Sequence, residues 1–271
     1  MKFRSPIYLN LNALADVADA YDLDTREVVE VRERNARSRA LGGGLGAGPA
    51  RIEGDRGSEA ETEETYSRKR SAISLLDQVL ERAHQDGDVV VDATTGVSRN
   101  SLVEFEGHLR SSSATEFVEV IRMMLPMMPS LVSAQTGPPE QAAMMQQVLN
   151  EIANEDNPSL WEVDHEMPEL PRVLVKMSRQ HLWRDQTMDD LDGEHTVLAL
   201  VDQIVPESGE FSLERHLLPG TNRALRRVMS GSAMEGMLQS VMKLPGANPT
   251  GVAPSLRVPG PLYVVNTIAV Y

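Results

Sequence analysis

Residues 196–205, TVLALVDQIV, carry apolar side chains on both faces of an extended chain. Successive side chains of a strand point to opposite sides, and here the odd-numbered and the even-numbered positions are both mostly apolar. Turn signals at Asp192-Gly193 and at Pro206 set the ends of the segment. We therefore predict an interior strand covered on both sides. Its β-branched content and its length favour this interpretation over the alternative, a buried helix.

Residues 102–110 show the other strand pattern, in which apolar and polar positions alternate. Such a period of two is typical of a strand with one buried and one wet face, and it favours an antiparallel sheet. The predicted inward positions are Val103, Phe105, Gly107 and Leu109, and the predicted outward positions are Glu104, Glu106, His108 and Arg110.

Shorter apolar runs predict further strands at residues 6–11, 88–92, 172–177 and 262–271. Apolar stripes at helical spacing, with capping residues before them, predict helices between these strands. The main ones are residues 12–20 capped by Asn12, 71–85 capped by Ser71, 113–125 with a Ser113–Glu116 capping box, and 179–191 capped by Ser178. The order predicts an α+β fold. It has mixed, largely antiparallel sheet with helices packed on the faces, and possibly two similar α/β sub-domains.

Changes in composition divide the chain into four parts. Residues 1–25 supply an N-terminal strand and helix that join the sheet, 71–158 form a first α/β half with Met-rich helices, and 159–271 form a second half with the C-terminal strand. Residues 26–70 combine an arginine cluster, the glycine run GGGLGAG and an acidic run. This segment has too little apolar surface to offset the entropy of ordering it, so we expect a mobile loop, with a tether or docking arm as the functional alternative.

The composition excludes several classes of function. Hydrophobic residues make up 41% of the 271 residues and aromatic residues only 4%, so aliphatic side chains and methionine must fill the core. A formal net charge of -14 disfavours nucleic-acid binding by the surface as a whole. The chain has no cysteine, no recognisable secretory signal and no apolar run long enough to span a bilayer, so we expect a cytoplasmic protein without integral membrane association.

The chain lacks the common catalytic and cofactor motifs. Gly42, Gly44 and Ala47 fit a G-x-G-x-x-A spacing, but neither a strand before them nor an apolar helix after them supplies the context that a dinucleotide requires. P-loop, H-E-x-x-H and G-x-S-x-G motifs are absent. We therefore predict no cofactor and no motif-based metal or catalytic site. The alternative is an enzyme whose acid–base or metal site is assembled from separate strands around Glu194, His195 and Asp202.

Methionine is unusually clustered. Its flexible, polarizable side chain suits a surface that repacks against different partners, although it also suits an aromatic-poor core. The leading hypothesis is a non-enzymatic interaction or regulatory protein that binds a protein partner or self-associates through a Met-rich face. The predicted interaction residues are Met123, Met124, Met127, Met128, Met144 and Met145.

Short patches at both ends of the chain resemble a known family. These are the opening PIYLNLNAL, the stretch ETEETYS, the strand EHTVLALVDQIV and the closing PLYVVNTIAVY. Together they are similar to a family of bacterial proteins known only as a domain of unknown function, with an N-terminal IYL strand and a C-terminal IAVY strand. The resemblance implies a bacterial cytoplasmic α/β protein and carries no established catalytic residues.

Overall fold

The computed structural model describes residues 5–25, 57–91, 96–124, 147, 150–154, 157–165, 170–213, 216 and 257–271. The helices are α1 (Leu11–Ala20), α2 (Gly57–Asp86), whose side chains are described from residue 72, and α3 (Ser113–Met124). The strands are β1 (Tyr8–Leu9), β2 (Val89–Val91), β3 (Leu102–Ser111), β4 (Ser159–Asp164), β5 (Arg172–Met177), β6 (Gly193–Val205), β7 (Glu210–Ser212), β8 (Arg257–Pro259) and β9 (Leu262–Val270).

Five strands close into a barrel. Strand β3 pairs with β4 and β6, β4 pairs with β5, and β9 joins β5 to β6. The β5–β9 pair is parallel and the other four pairs of the ring are antiparallel. Strand β1 extends the sheet beside β9, β2 extends it beside β3, and β7 and β8 form a separate hairpin. The predicted α+β class with a mixed, largely antiparallel sheet is confirmed, and strands of both predicted halves belong to one sheet.

The register shows how the ring closes. Followed from strand to strand, the pairing runs through Leu102, Leu200, Asn266, Lys176 and Leu160 and returns to the β3 chain at Ser112. The path therefore ends ten residues further along the chain than it began, and a stagger of this kind tilts the strands of a small barrel. In chain order the five strands neighbour one another as 1-2-3-5-4, which is the Greek-key connectivity of an OB-class barrel.

The interior of the barrel is apolar. It is filled by the alternate residues of the strands, and Phe105 is among its largest fully buried side chains. The prediction that Val103, Phe105 and Leu109 point inward is therefore confirmed. The other inward side chains are Trp161, Val163, Val173, Val175, Met177, Val197, Ala199, Val201, Tyr263 and Val265.

A second core lies outside the barrel, under α1 and α2. Helix α1 begins at Asn10, whose Oδ1 accepts a hydrogen bond from the Ala13 N–H at 3.2 Å. Its buried stripe and that of α2 pack on the outward residues of β3, β6 and β9. These outward residues are Leu102, Leu198, Ile268 and Ala269, and the helix residues include Leu14, Ala18, Leu76, Val79, Leu80 and Ala83.

The opposite wall of the barrel is buried as well. Leu160, Leu174, Leu262 and Val264 alternate with inward residues on β4, β5 and β9, and they are essentially inaccessible. Helix α3 packs against β4 on this side. The prediction that residues 196–205 form a strand covered on both faces holds for Val197, Leu198, Ala199 and Val201, whereas Ile204 near the end of the strand is 39% exposed.

Local details differ from several sequence predictions. Asn10 rather than Asn12 caps α1, Ser71 lies inside α2 rather than at its start, and residues 57–70, assigned to the charged segment, form the first half of that helix. Residues 26–56 of that segment lie outside the described residues. The predicted helix 179–191 is wrong, since only two 3-10 turns form there. The main-chain pairing of Leu182 and Trp183 with the β1 segment occupies the backbone groups that a helix would need.

Candidate functional site

The start of α3 is tied to β4 through two small polar side chains. Ser112 rather than Ser113 is the cap, because its Oγ accepts the Thr115 N–H at 3.3 Å. Thr115 Oγ1 donates to the Leu160 carbonyl at 2.6 Å and accepts the Leu160 N–H at 2.8 Å. These bonds fix the direction in which α3 leaves the barrel, and they place its inner face beside the start of β4.

A shallow cleft that is open to solvent lies along this face of α3, and it encloses only about 20 Å³, which is room for about one water molecule. One wall is α3, and the other is formed by Ile152, the segment 157–159, Arg179 and His216. Ala114, Val118, Ile152 and Pro158 give it an apolar floor, and charged side chains stand around it. An apolar cavity with a few oriented polar groups is the usual form of a ligand site.

Arginine side chains dominate the charge of the cleft. Arg122 donates from Nε to the Ala153 carbonyl at 2.9 Å and from Nη2 to the Asn154 carbonyl at 2.9 Å, so two main-chain groups hold its guanidinium in place. One oxygen of Glu119 accepts from Arg122 at 2.7 Å and from Arg179 at 2.6 Å. The three side chains carry one net positive charge, in a chain whose formal net charge is -14.

His216 forms the end of the cleft. Burial lowers its pKa to about 4, and the nearby positive charge of Lys176 acts in the same direction. A hydrogen bond to the Pro158 backbone opposes the shift. The imidazole is therefore neutral at pH 7, and the cleft gains no charge from it.

The cleft is built from three connections of the barrel, one of which is the β5–β6 connection that supplies Arg179. Residues 112–158 join the first barrel strand, β3, to the second, β4, and His216 belongs to the connection between the fourth, β6, and the fifth, β9. In OB-class barrels, these same two connections flank the ligand-binding face. Leu160 and Leu174, on the outer face of the second and third strands, are buried, whereas Arg172 and Asp164 on the same face are exposed.

Comparison with known protein families shows which family the chain belongs to. The model of the family described as a domain of unknown function, DUF6414, matches residues 3–271. The chain belongs to the DUF6414 family. No curated protein matches this DUF6414 chain, and no solved structure matches it either.

The predicted methionine surface falls only partly on the described residues of the DUF6414 chain. Met123 lies in the last turn of α3 and is 65% exposed, the highest value among the large apolar residues described. It follows Glu119 by four residues and therefore shares that side of the helix. Met124 ends α3, with no side chain described, and Met127, Met128, Met144 and Met145 lie outside the described residues.

Glu194, His195 and Asp202, the residues of the alternative enzyme hypothesis, do not converge. Glu194 is outside the barrel and pairs with His108 at 3.3 Å, whereas His195 points into the barrel end. Asp202 lies seven residues further along β6, roughly 23 Å away at about 3.3 Å per residue. It pairs with Lys176 at 2.6 Å and Arg99 at 3.7 Å.

No metal centre is present among the described residues. They contain no group of three or more His, Asp or Glu side chains that could hold an ion. His108 lies between Asp192 and Glu194, but a different ring nitrogen contacts each carboxylate, which suits ion pairing rather than chelation of one ion. Likewise, no helix in the described ranges of the DUF6414 chain is long and apolar enough to cross a bilayer.

The sequence alone missed the charged residues of the cleft. Arg122 appeared only as part of a helix with an apolar stripe, and Arg179 appeared as the start of a helix that does not form. The apolar pattern of α3 did contain a signal, because an arginine between Ile121 and the methionines interrupts the buried side of the helix. His216 had no sequence signal, since its position depends on how the β6–β9 connection folds back.

Proposed function

We propose that this protein is a non-enzymatic interaction or regulatory protein that binds a protein partner through the cleft beside α3. The observation that carries the proposal is that two of the three connections lining the cleft, β3–β4 and β6–β9, correspond to those that bind oligonucleotides and oligosaccharides in barrels of this class. Met123, exposed on the same side of α3 as Glu119, adds an apolar contact that can adapt to a partner.

The chemistry of the cleft favours a polypeptide over a nucleic acid. All three edges of the Arg122 guanidinium are already engaged by Glu119 and two main-chain carbonyls, which leaves it little capacity for a phosphate. The net charge of -14 also repels a phosphate backbone. An extended protein segment, by contrast, can place an apolar side chain against the exposed Met123 and hydrogen-bond to the polar rim of the cleft.

The proposed setting is the bacterial cytoplasm, in keeping with a chain that contains no cysteine. The proposed partner is a different protein. The test must therefore distinguish binding of such a partner from self-association through the same surface. The enzyme hypothesis has no comparable support, because Glu194, His195 and Asp202 lie on different faces of β6 or far apart along it.

The test is site-specific crosslinking with a photoreactive amino acid at position 123. Position 91 on β2 is the matched control, because Val91 is also an exposed apolar residue, at 54%, and lies on a different element. We expect crosslinks to a protein from position 123, but not from position 91, and we expect Met123→Asp to reduce the amount captured at a neighbouring α3 position at least about fivefold.

Light scattering over a hundredfold range of protein concentration identifies the partner type. A constant monomer mass together with crosslinks to another protein supports the proposal. A wild-type mass that doubles as the concentration rises, together with a Met123→Asp mass that stays at the monomer value, shows self-association instead. Crosslinks to nucleic acid, or equal crosslinking from positions 91 and 123, would overturn the proposed surface.

A further inference from the structure

Two histidines at one end of the barrel have an unusual environment. Among the residues that the structure describes, the buried side-chain nitrogen atoms without a hydrogen-bond partner are Nε2 of His165 and Nε2 of His195. His195 is paired with Gly107 of β3 in the sheet register, and His165 follows Asp164, which is paired with His108. The two histidines thus flank Gly107 from either side. A buried polar atom with no partner costs free energy and calls for an explanation.

The hydrogen bonds of the other ring nitrogens fix the tautomers. His165 Nδ1 lies 3.2 Å from the Glu106 carbonyl, which can only accept, so Nδ1 carries the proton. His195 contacts the Asp190 backbone, and because its Nε2 has no partner, the contacting atom is Nδ1. In the neutral form of both rings, the buried Nε2 is therefore an acceptor without a partner.

His195 differs from His165 in what it holds. Its partner, Asp190, belongs to residues 187–193, which we call the plug. The plug is closed by Asp190 Oδ2, which accepts from the Thr187 N–H at 2.6 Å and from its Oγ1 at 2.8 Å. Leu191 of the plug is fully buried against the interior residues of the barrel. Gly193, at φ +148°, joins the plug to β6 in a backbone conformation that other residues rarely adopt.

We propose that His195 is an acid-sensitive latch: its protonation releases the plug and opens this end of the barrel. A proton on Nε2 would place a charge and a donor without a partner on a buried atom, so the ring must move to water and lose its bond to Asp190. The plug then keeps the contact of Asp192 with His108 and the apolar contacts of Leu191 and Met188, while its turn bonds become open to water.

The charges around His195 set the conditions for this release. Burial lowers the pKa of His195 and the positive charge of His108 acts in the same direction, while the Asp190 backbone, Glu194 and Asp192 raise it. The folded protein therefore favours the neutral ring more than the unfolded chain does, and protons drive the latch open as the pH falls below the ordinary histidine range. Once outside, the charged ring is near Glu194 and Asp192, which stabilise the open form.

Hydrogen exchange of the full chain, measured by mass spectrometry or NMR at pH 7.5 and pH 5, tests the latch. Rates are corrected for the pH dependence of chemical exchange. We expect protection of the Leu191 and Asp192 amides, which bond to Met188 and Asp189, to fall at least about tenfold, while Val264 and Val265 in β9 stay protected. An NMR titration of the His195 ring should share its midpoint with this loss of protection.

Variants separate the latch from general acid sensitivity. His195→Gln can still donate to Asp190 but cannot take up a proton, so its plug protection should no longer depend on pH, whatever its starting level. His165→Gln changes a buried histidine that does not hold the plug, so this variant should respond as the wild type does. A retained fall in His195→Gln, a stable plug in the wild type at pH 5, or a ring midpoint different from that of the plug would overturn the proposal.

Discussion

A buried carboxylate joins α2 to the end of β9, and its contribution to stability can be measured. Glu104 was predicted to face solvent from β3 but is only 9% exposed, because α2 lies over it. Its carboxylate accepts a hydrogen bond from the Tyr271 hydroxyl and pairs with His84 Nε2 at 3.1 Å. The three groups come from α2, from β3 and from the residue after β9, so the cluster fastens the helix to the barrel wall.

We predict a coupling free energy of about 1–2 kcal/mol between Glu104 and Tyr271. Tyr271→Phe removes a donor from a buried charge, which costs about 1.5–3 kcal/mol, and Glu104→Leu leaves a hydroxyl without its acceptor at a cost of about 1–3 kcal/mol. The double variant contains neither unpaired group, so it should lose less than the sum of the single variants. At about 2–4 °C per kcal/mol for a chain of this size, each single change should lower the Tm by roughly 3–10 °C.

Urea denaturation of the four proteins in a double-mutant cycle supplies the measurement. The control cycle uses Glu210 and Arg257, an exposed ion pair at 3.1 Å in the β7–β8 hairpin, where coupling should stay below about 0.5 kcal/mol. A Glu104–Tyr271 coupling as small as that of the control pair would show that burial of the carboxylate does not strengthen the contact, and the reasoning would fail.

Three other changes should follow from the structure. Gly107→Ala should destabilise by about 1–3 kcal/mol in a thermal melt, because its Cβ would lie 2.7 Å from the Asp164 carbonyl oxygen; an unchanged Tm would contradict this packing. Since the pKa of His216 is lowered from 6.5 to about 4, its neutral form stabilises the fold above pH 6.5, and that contribution is lost as the pH falls towards 4. Urea titrations should show that the free energy of unfolding falls by roughly 2 kcal/mol more in the wild type than in His216→Gln when the pH is lowered from 7.5 to 5. Equal losses in the two proteins would refute this role of His216. Removing residues 266–271 should abolish soluble expression, because that part of β9 pairs with β1 and β6, and an unchanged melting curve would refute it.

The limits of a strand could be predicted where the pattern of apolar and polar positions alone determines them. The predicted limits 102–110 and 262–271 differ from β3 and β9 by one residue each, because alternation and unbroken apolar runs depend only on burial. The closure of the barrel could not be predicted, because each barrel strand pairs with a strand that is distant in the sequence. The hydrophobic pattern of a strand shows which of its faces are buried, but it does not show which strand lies beside it. The same reason applies to Glu104, which sits at an outward position yet lies under α2.

Helix limits and the cleft depended on tertiary contacts. Asn10 and Ser112 take the caps although Asn12 and Ser113 are equally suitable residues nearby. Residues 179–191 have a helical pattern, but the pairing of Trp183 with the Ile7 carbonyl at 2.8 Å decides their conformation. Met123 is exposed, and the predicted methionine surface stays a prediction. The convergence of Arg122 and Arg179 on Glu119 joins two distant segments and leaves no trace in local sequence.

The position of β9 has a consequence for biosynthesis. This strand lies between β5 and β6 and also accepts β1, whose residues are about 260 positions earlier in the chain. While the ribosome is still making the second half, β5 and β6 have no partner on their β9 sides. High contact order of this kind slows folding and exposes strand edges to aggregation, so nascent chains should depend on chaperones until β9 emerges.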